Sequence, residues 1–305
     1  MPSLLVRLGQ RFYASPFLLL VLAMLSWAGN TIAGRIAVDE ISPLTLVSLR
    51  WVWVIGALWP IYGAEVKAHW PTVRPRLLSI ALMATFGFTV FNVLYYYAAH
   101  TTTAVNLGIL QGSMPMFVMV GAFVMIGARP SAVQWAGALI TALGVVVVAT
   151  QGRPLALVDL TITRGDWLVL LACLFYALYA VGLRDRPAIP GTVFFTLLAA
   201  IAALTSLPLI VVDWLLGELR MPTPTGWLVA IYVAVFPSCL AQLFFMRGVD
   251  LIGPSRSSVF LNLVPVLSAL LAVGMLGEPF RWYHAFAMLL VGVGIWIAER
   301  GKTAG

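Results

Sequence analysis

The chain has 305 residues, of which 62 % are hydrophobic and only 10 % charged, with a mean hydropathy of +1.00; soluble globular chains are about a quarter charged. A water-soluble domain is therefore excluded. The formal net charge of +7 does not indicate nucleic acid, because the basic residues are scattered among short loops and form no patch.

A window of about 20 residues, the length that crosses a hydrocarbon core, finds ten apolar stretches, at 16–38, 43–63, 76–99, 103–127, 131–150, 165–183, 190–213, 224–247, 253–277 and 281–299. Lipid offers no partner to an open strand edge, and the runs lack the alternation of a barrel. The expected fold is an all-α polytopic membrane protein of ten transmembrane helices.

The first stretch follows Arg7 and Arg11 like a secretory signal, but its apolar run is too long and no clean cleavage site follows, so it is expected to be retained. One of its faces carries Trp27 and Asn30 at helical spacing. The second stretch holds Arg50, roughly 10 Å below its start at 1.5 Å per residue. A guanidinium at that depth either meets a substrate carboxylate or has a structural role, snorkelling and pairing with backbone carbonyls.

The third stretch stacks Phe88, Asn92 and Tyr95 or Tyr96, with Gly87 as a weak point. The fourth contains "GSMPMFVMVGAFVMIGAR" (112–129) with Pro115, and the fifth has small residues at Gly137, Ala138, Thr141 and Ala142. Such a stripe permits close helix contact, within the chain or in a homo-oligomer. In the sixth, Tyr176 and Tyr179 share a face; the seventh contains Pro208. The eighth carries Pro237, Ser238, Gln242 and Phe245, and the ninth contains "NLVPVLSALLAVGMLGEP" (262–279) with Asn262 and Pro265. Glu278 precedes Pro279 at the start of the tenth, where a carboxylate is expected to cap that helix.

An offset of 150 lays one half of the chain on the other without a gap from Leu78 to Ala149. Only nine of 72 positions are identical, so the unusual matches decide. Pro115 meets Pro265, Gly127 meets Gly277, Gly87 faces Pro237, and the amides Asn92 and Gln242 coincide; at an offset of 149, Arg35 meets Arg184. A duplicated unit of five helices enters the membrane from opposite sides in its two copies. The expected organisation is two inverted repeats, 16–150 and 165–299, around a central cavity near the membrane midplane.

"LSWAGNTIAGRIA" (25–37), "LVSLRWVWVIGAL" with Arg50, and two copies of P-x6-A-x4-G, the second ending in Glu278, resemble the EamA-type repeats of the drug/metabolite transporter superfamily. Within it, the pattern is most similar to the bacterial aromatic amino acid exporters. The resemblance implies ten helices around a central cavity and export as the physiological direction. It also places an Arg at position 50 in very varied transporters, which favours the structural role. The first copy departs from the pattern, with Ala128 where the second has Glu278.

Rings supply contact area and amides orient a polar end. Trp27, Asn30, Asn92, Tyr95, Tyr96, Tyr176, Tyr179, Gln242, Phe245 and Asn262 are the expected cavity residues, unless the aromatics are packing or interfacial-belt residues. Gly87, Pro115, Pro208, Pro237 and Pro265 are the expected places of bending. The freed backbone and amide at Asn262 lead us to expect more recognition from the ninth helix than from the fourth.

No acid lies in mid-span, which removes the proton-alternating carboxylate of a cationic-drug exporter. Only Arg50 is deep enough to bind phosphate, which argues against sugar phosphates. No paired catalytic groups point to an intramembrane enzyme, no sizeable loops to a scaffold, and three scattered histidines make no metal set; no cofactor is expected. The expected substrate is a neutral or aromatic amino acid carried by facilitated alternating access, the alternative being another small metabolite or drug. The basic residues Arg7, Arg11, Lys67, Arg74, Arg76, Arg129, Arg184, Arg186, Arg247, Arg300 and Lys302 outnumber Arg153, Arg164, Arg220 and Arg281 on the other side. That bias places both termini in the cytoplasm, in a multi-pass protein of the cell (inner) membrane.

Overall fold

A computed structural model of the protein describes residues 12–153, 163–253, 256–257 and 259–301; Arg7, Arg11 and Lys302 lie outside them. Every element among the described residues is helical. The first repeat comprises α1 (Pro16–Ile36), α2 (Pro43–Ala68), α3 (Trp70–Ala99), α4 (Ala104–Ile126) and α5 (Ala132–Ala149). The second comprises α6 (Arg164–Asp185), α7 (Gly191–Leu215), α8 (Pro224–Ile252), α9 (Phe260–Leu276) and α10 (Trp282–Arg300). Nine of these are long and apolar enough to cross a membrane, and α9 is shorter. The expected ninth span began at 253, and residues 254, 255 and 258 are outside those described.

Five helices begin where a hydroxyl can satisfy the first free N–H groups. Ser42, Thr103, Ser131, Thr163 and Thr223 each accept from the backbone N–H three residues on. The helices alternate in direction, so the bundle has two ends. The terminal end bears the start of α1 and the finish of α10; the far end bears the α1–α2, α3–α4 and α9–α10 connections.

The irregularities repeat between the halves. Gly87 lies in a π-helical turn, Thr85–Val90, within α3, and its counterpart Pro237 lies in another, Ala234–Leu240, within α8. Glycine and proline are both poor helix residues, and the wide turn absorbs the weakness locally. α4 is interrupted at Gly112 and Ser113, between Ala104–Gln111 and Met114–Ile126. At the matching place α9 starts as a 3-10 turn, Val259–Asn262, before Leu263–Leu276. Both of these segments end on a left-handed glycine, Gly127 and Gly277, each with φ of 65°, where a side chain would be strained. Pro208, by contrast, lies inside the unbroken helix Gly191–Leu215 at an exposed position.

Packing follows the same exchange symmetry. α1 lies against α8 and α9, while its counterpart α6 lies against α3 and α4. Counterparts also pair with each other: α2 with α7, α4 with α9 and α5 with α10. The small stripe on α5 has an internal use. A Cβ at Gly137 would collide with the Gly294 carbonyl and the Ala298 backbone, and one at Gly294 with Gly137 and Thr141. Backbone-to-backbone approach of this kind is how membrane helices associate without a hydrophobic driving force.

Candidate functional site: a central cavity open at one end

A cavity of about 790 Å³ runs from mid-bundle to the terminal end, within the roughly 300–1,000 Å³ of small-molecule sites. Its mouth is formed by Arg129, Ser131, Gln134 and Glu299, and among the described residues none of the far-end connections lines it.

The polar floor is assembled by the π turn of α8. Pro237 has no N–H to give the Val233 carbonyl, and the Ser238 hydroxyl donates to that carbonyl instead, at 2.5 Å. The Pro237 carbonyl accepts from Trp27 Nε1 at 2.9 Å, tying α1 to α8. Ser238 Oγ is thereby oriented to accept from Arg50 Nε at 2.5 Å. On the other side, Asn92 Nδ2 donates to the Phe88 carbonyl at 2.5 Å, which turns Asn92 Oδ1 toward Arg50 Nη1, 2.7 Å away. Tyr96 Oη, at 2.7 Å, and Asn30 Oδ1, at 3.2 Å, accept from the same nitrogen.

Every one of these partners is neutral. Arg50 has no carboxylate within ion-pair distance among the described residues. Its Nη2 has no hydrogen-bond partner there and is not among the buried unsatisfied atoms, so it faces the cavity that Arg50 lines. Trp51 flanks the guanidinium, 5.4 Å from ring centroid to Cζ, and stacks on Phe88 at 4.8 Å.

Of the expected residues, Trp27, Asn30, Arg50, Asn92, Tyr176, Gln242 and Asn262 line the cavity, as do Gly87, Pro115, Pro237 and Pro265. Tyr95, Tyr96, Tyr179 and Phe245 do not. Tyr95 and Tyr96 lie about a turn beyond Asn92 toward the far end, where burial obliges each hydroxyl to find an acceptor. Tyr95 donates to Thr31 at 2.8 Å and Tyr96 to Asn30 at 2.8 Å, so the pair closes the roof. Tyr179 stands behind the wall against Phe88 and Tyr176, and Phe245 supports Trp27 at 5.4 Å. Pro208 is remote from the cavity.

Sequence reasoning missed Trp51, Phe91 and Phe195, which face inward but read as generic apolar positions in rich helices. It also underrated α4. That helix supplies Gln111 and three methionines, Met114, Met116 and Met119, to the lining, more than the Leu261, Asn262, Val264 and Pro265 of α9. Recognition was expected chiefly from α9, whereas among the described residues α4 supplies the larger share of the lining, from Gln111 onward through its second piece.

The far end is closed by carboxylates. Glu278 accepts from the backbone N–H groups of Ala104, at 2.9 Å, and Val105, at 3.0 Å, and its Oε1 lies 3.8 Å from Arg35 Nε. Glu278 therefore caps α4, not α10 as expected; at the start of α10 the Arg281 N–H instead donates to His284 Nδ1 at 3.0 Å, and the His284 N–H donates to the Arg281 carbonyl at 3.0 Å. Asp166 accepts from Thr102 at 2.6 Å, Asp213 from Thr45 at 2.7 Å and from Ser42, and Glu40 from Thr223.

Two inverted five-helix repeats around a central cavity open at one end define a polytopic membrane transporter. The chain belongs to the EamA-like transporter family, whose profile matches twice, at residues 14–150 and 163–299. It is 25 % identical over 236 residues, 74 % of each chain, to the uncharacterized transporter YyaM of Bacillus subtilis (strain 168). It is 24 % identical over 263 residues, 85 % of this chain and 84 % of the relative, to a probable terminal-alkyne amino-acid exporter of Streptantibioticus cattleyicolor. A protein of known crystal structure shares the fold, with a TM-score of 0.63 at 20 % identity over 93 % of this chain and 96 % of the other.

Proposed function

We propose that the protein is a facilitative exporter of neutral amino acids with aromatic or apolar side chains, resident in the cell (inner) membrane with both termini in the cytoplasm. The observation that carries this reading is Arg50: a guanidinium in the cavity wall that among the described residues is held by neutral groups only, with Nη2 unpaired there and turned to the solute space. A buried cation without a counter-charge is costly, and a substrate carboxylate supplies the missing anion through a charge-assisted hydrogen bond to Nη2. Asn30 and Asn92, beside it, accept hydrogen bonds, while Trp27, Phe88, Phe91 and Tyr176 offer apolar faces to a side chain. The similarity to a probable terminal-alkyne amino-acid exporter supports the same substrate class.

The uncoupled mechanism rests on the lining as well. Its one acid among the described residues, Glu299, stands at the mouth, and no carboxylate lies on the path to exchange a proton for the solute. The methionine wall of α4 favours a second reading, a wider range of apolar metabolites or drugs, since methionine repacks around varied shapes.

The test is uptake of labelled phenylalanine, tryptophan, leucine and their amides into liposomes holding the purified protein. We expect flux of the amino acids without an imposed pH gradient, at least tenfold slower flux of the amides, and loss of that preference in Arg50→Gln. No flux of any amino acid overturns the substrate class, and a strict need for a pH gradient overturns facilitated transport.

A further inference from the structure

The two repeats build the same turn at opposite ends of the bundle but arm only one of them. Gly277, at φ 65°, lets the Glu278 N–H bond the Ala272 carbonyl at 3.3 Å. Gly127, also at φ 65°, lets the Ala128 N–H bond the Ala122 carbonyl at 3.2 Å. The backbone is equivalent, yet the position that carries a carboxylate at the far end carries a methyl group at the terminal end. The receiving side differs in the same sense. Ala104, whose N–H holds Glu278, corresponds to Pro254, which has no N–H to offer. The basic partner survives in both copies, as Arg35 and Arg184.

We infer that Glu278 is the bolt of a far-end gate, and that the cavity rests open at the terminal end because the second gate has no bolt. The carboxylate joins four elements. It holds the first two N–H groups of α4 from the α9–α10 connection, and it sits beside Arg35 of α1, whose Nη1 donates to the carbonyl of Ala99 at the end of α3. Its side chain is only 13 % exposed, so these charge-assisted bonds are little weakened by water. Exchange of roles between inverted repeats requires the far end to part, which breaks both N–H bonds at once. Formation of the opposite gate returns no equivalent bonds. The bolt thus sets a conformational preference that the symmetric backbone alone cannot set. This inference rests on alternating access but not on the identity of the solute.

The experiment measures the gate directly, in the full-length purified protein without substrate. Spin labels replace Thr101 and Phe280, both exposed at the far end, in a Cys173→Ala, Cys239→Ala background, and their separation is read by double electron–electron resonance. The parent protein should give a single short distance. Glu278→Gln, which removes the charge and leaves one acceptor oxygen, should add a longer distance, raising the open fraction at least tenfold. An unchanged distance distribution in Glu278→Gln overturns the inference. Should that variant not fold, the pair Ala128→Glu with Pro254→Ala supplies the second bolt without touching the first. It should populate the same longer far-end distance, and a distribution like the parent's again overturns the proposal. Because the distances are read without solute, failed amino acid uptake would count against the substrate class and leave this result standing.

Discussion

At the scale of single residues, the site depends on how proline and amide side chains redirect backbone groups. Ser238 answers the carbonyl freed by Pro237 and presents its oxygen to Arg50. Ser238→Ala removes the acceptor of Arg50 Nε and the hydroxyl that donates to the Val233 carbonyl. We expect a loss of about 1–3 kcal/mol, visible as a lowered midpoint in thermal unfolding of the purified protein. Tyr95→Phe removes one donor and leaves one acceptor, Thr31, that still meets Ser268 at 3.3 Å. It should cost about 0.5–1.5 kcal/mol and retain flux, because Tyr95 stands in the roof and not in the lining. Asn92 and Gln242 were legible because an amide in mid-span has few innocent explanations. Tyr95 and Tyr96 were not placed by periodicity: they follow Asn92 in regular α-helix, and Tyr96 shares Arg50 with it, but spacing does not say how far along that face the cavity reaches.

At the scale of elements, the repeat was legible through its weak points. Glycine facing proline predicts local bending in both copies, and both copies have it, as π turns. The form of the bend was not legible, since the same residues permit a kink, a break or a widened turn. Nor did the sequence say where the small stripe of α5 would be used, because a close-contact face looks alike whether its partner is in the same chain or another. The structure puts α10 against it. Gly137→Leu forces a side chain into the Gly294 and Ala298 backbone and should destabilise by about 3 kcal/mol or more, beyond ordinary overpacking because backbone cannot repack. Gly292→Ala on α10, where no atom lies within 4 Å of an added Cβ, should instead stabilise by up to about 1 kcal/mol. Equal unfolding midpoints for these two variants would refute the seam.

At the scale of the whole molecule, the charge bias of the loops and the position of the cavity mouth combine into a statement about sidedness. With the termini in the cytoplasm, Arg129 at the mouth is reached from inside. In the cysteine-free background, Arg129→Cys should react with an impermeant maleimide in inside-out membrane vesicles and remain unlabelled in right-side-out ones. The reverse pattern would invert the topology. Of the three pairs of counterpart helices, α5 and α10 approach backbone to backbone at Gly137 and Gly294. When the two repeats trade conformations, each takes the other's place, and a contact between counterparts is carried onto itself. Under the proposed alternating access, the angle at which α5 crosses α10 is expected to be common to both ends of the cycle, so that the pair serves as a fixed mast.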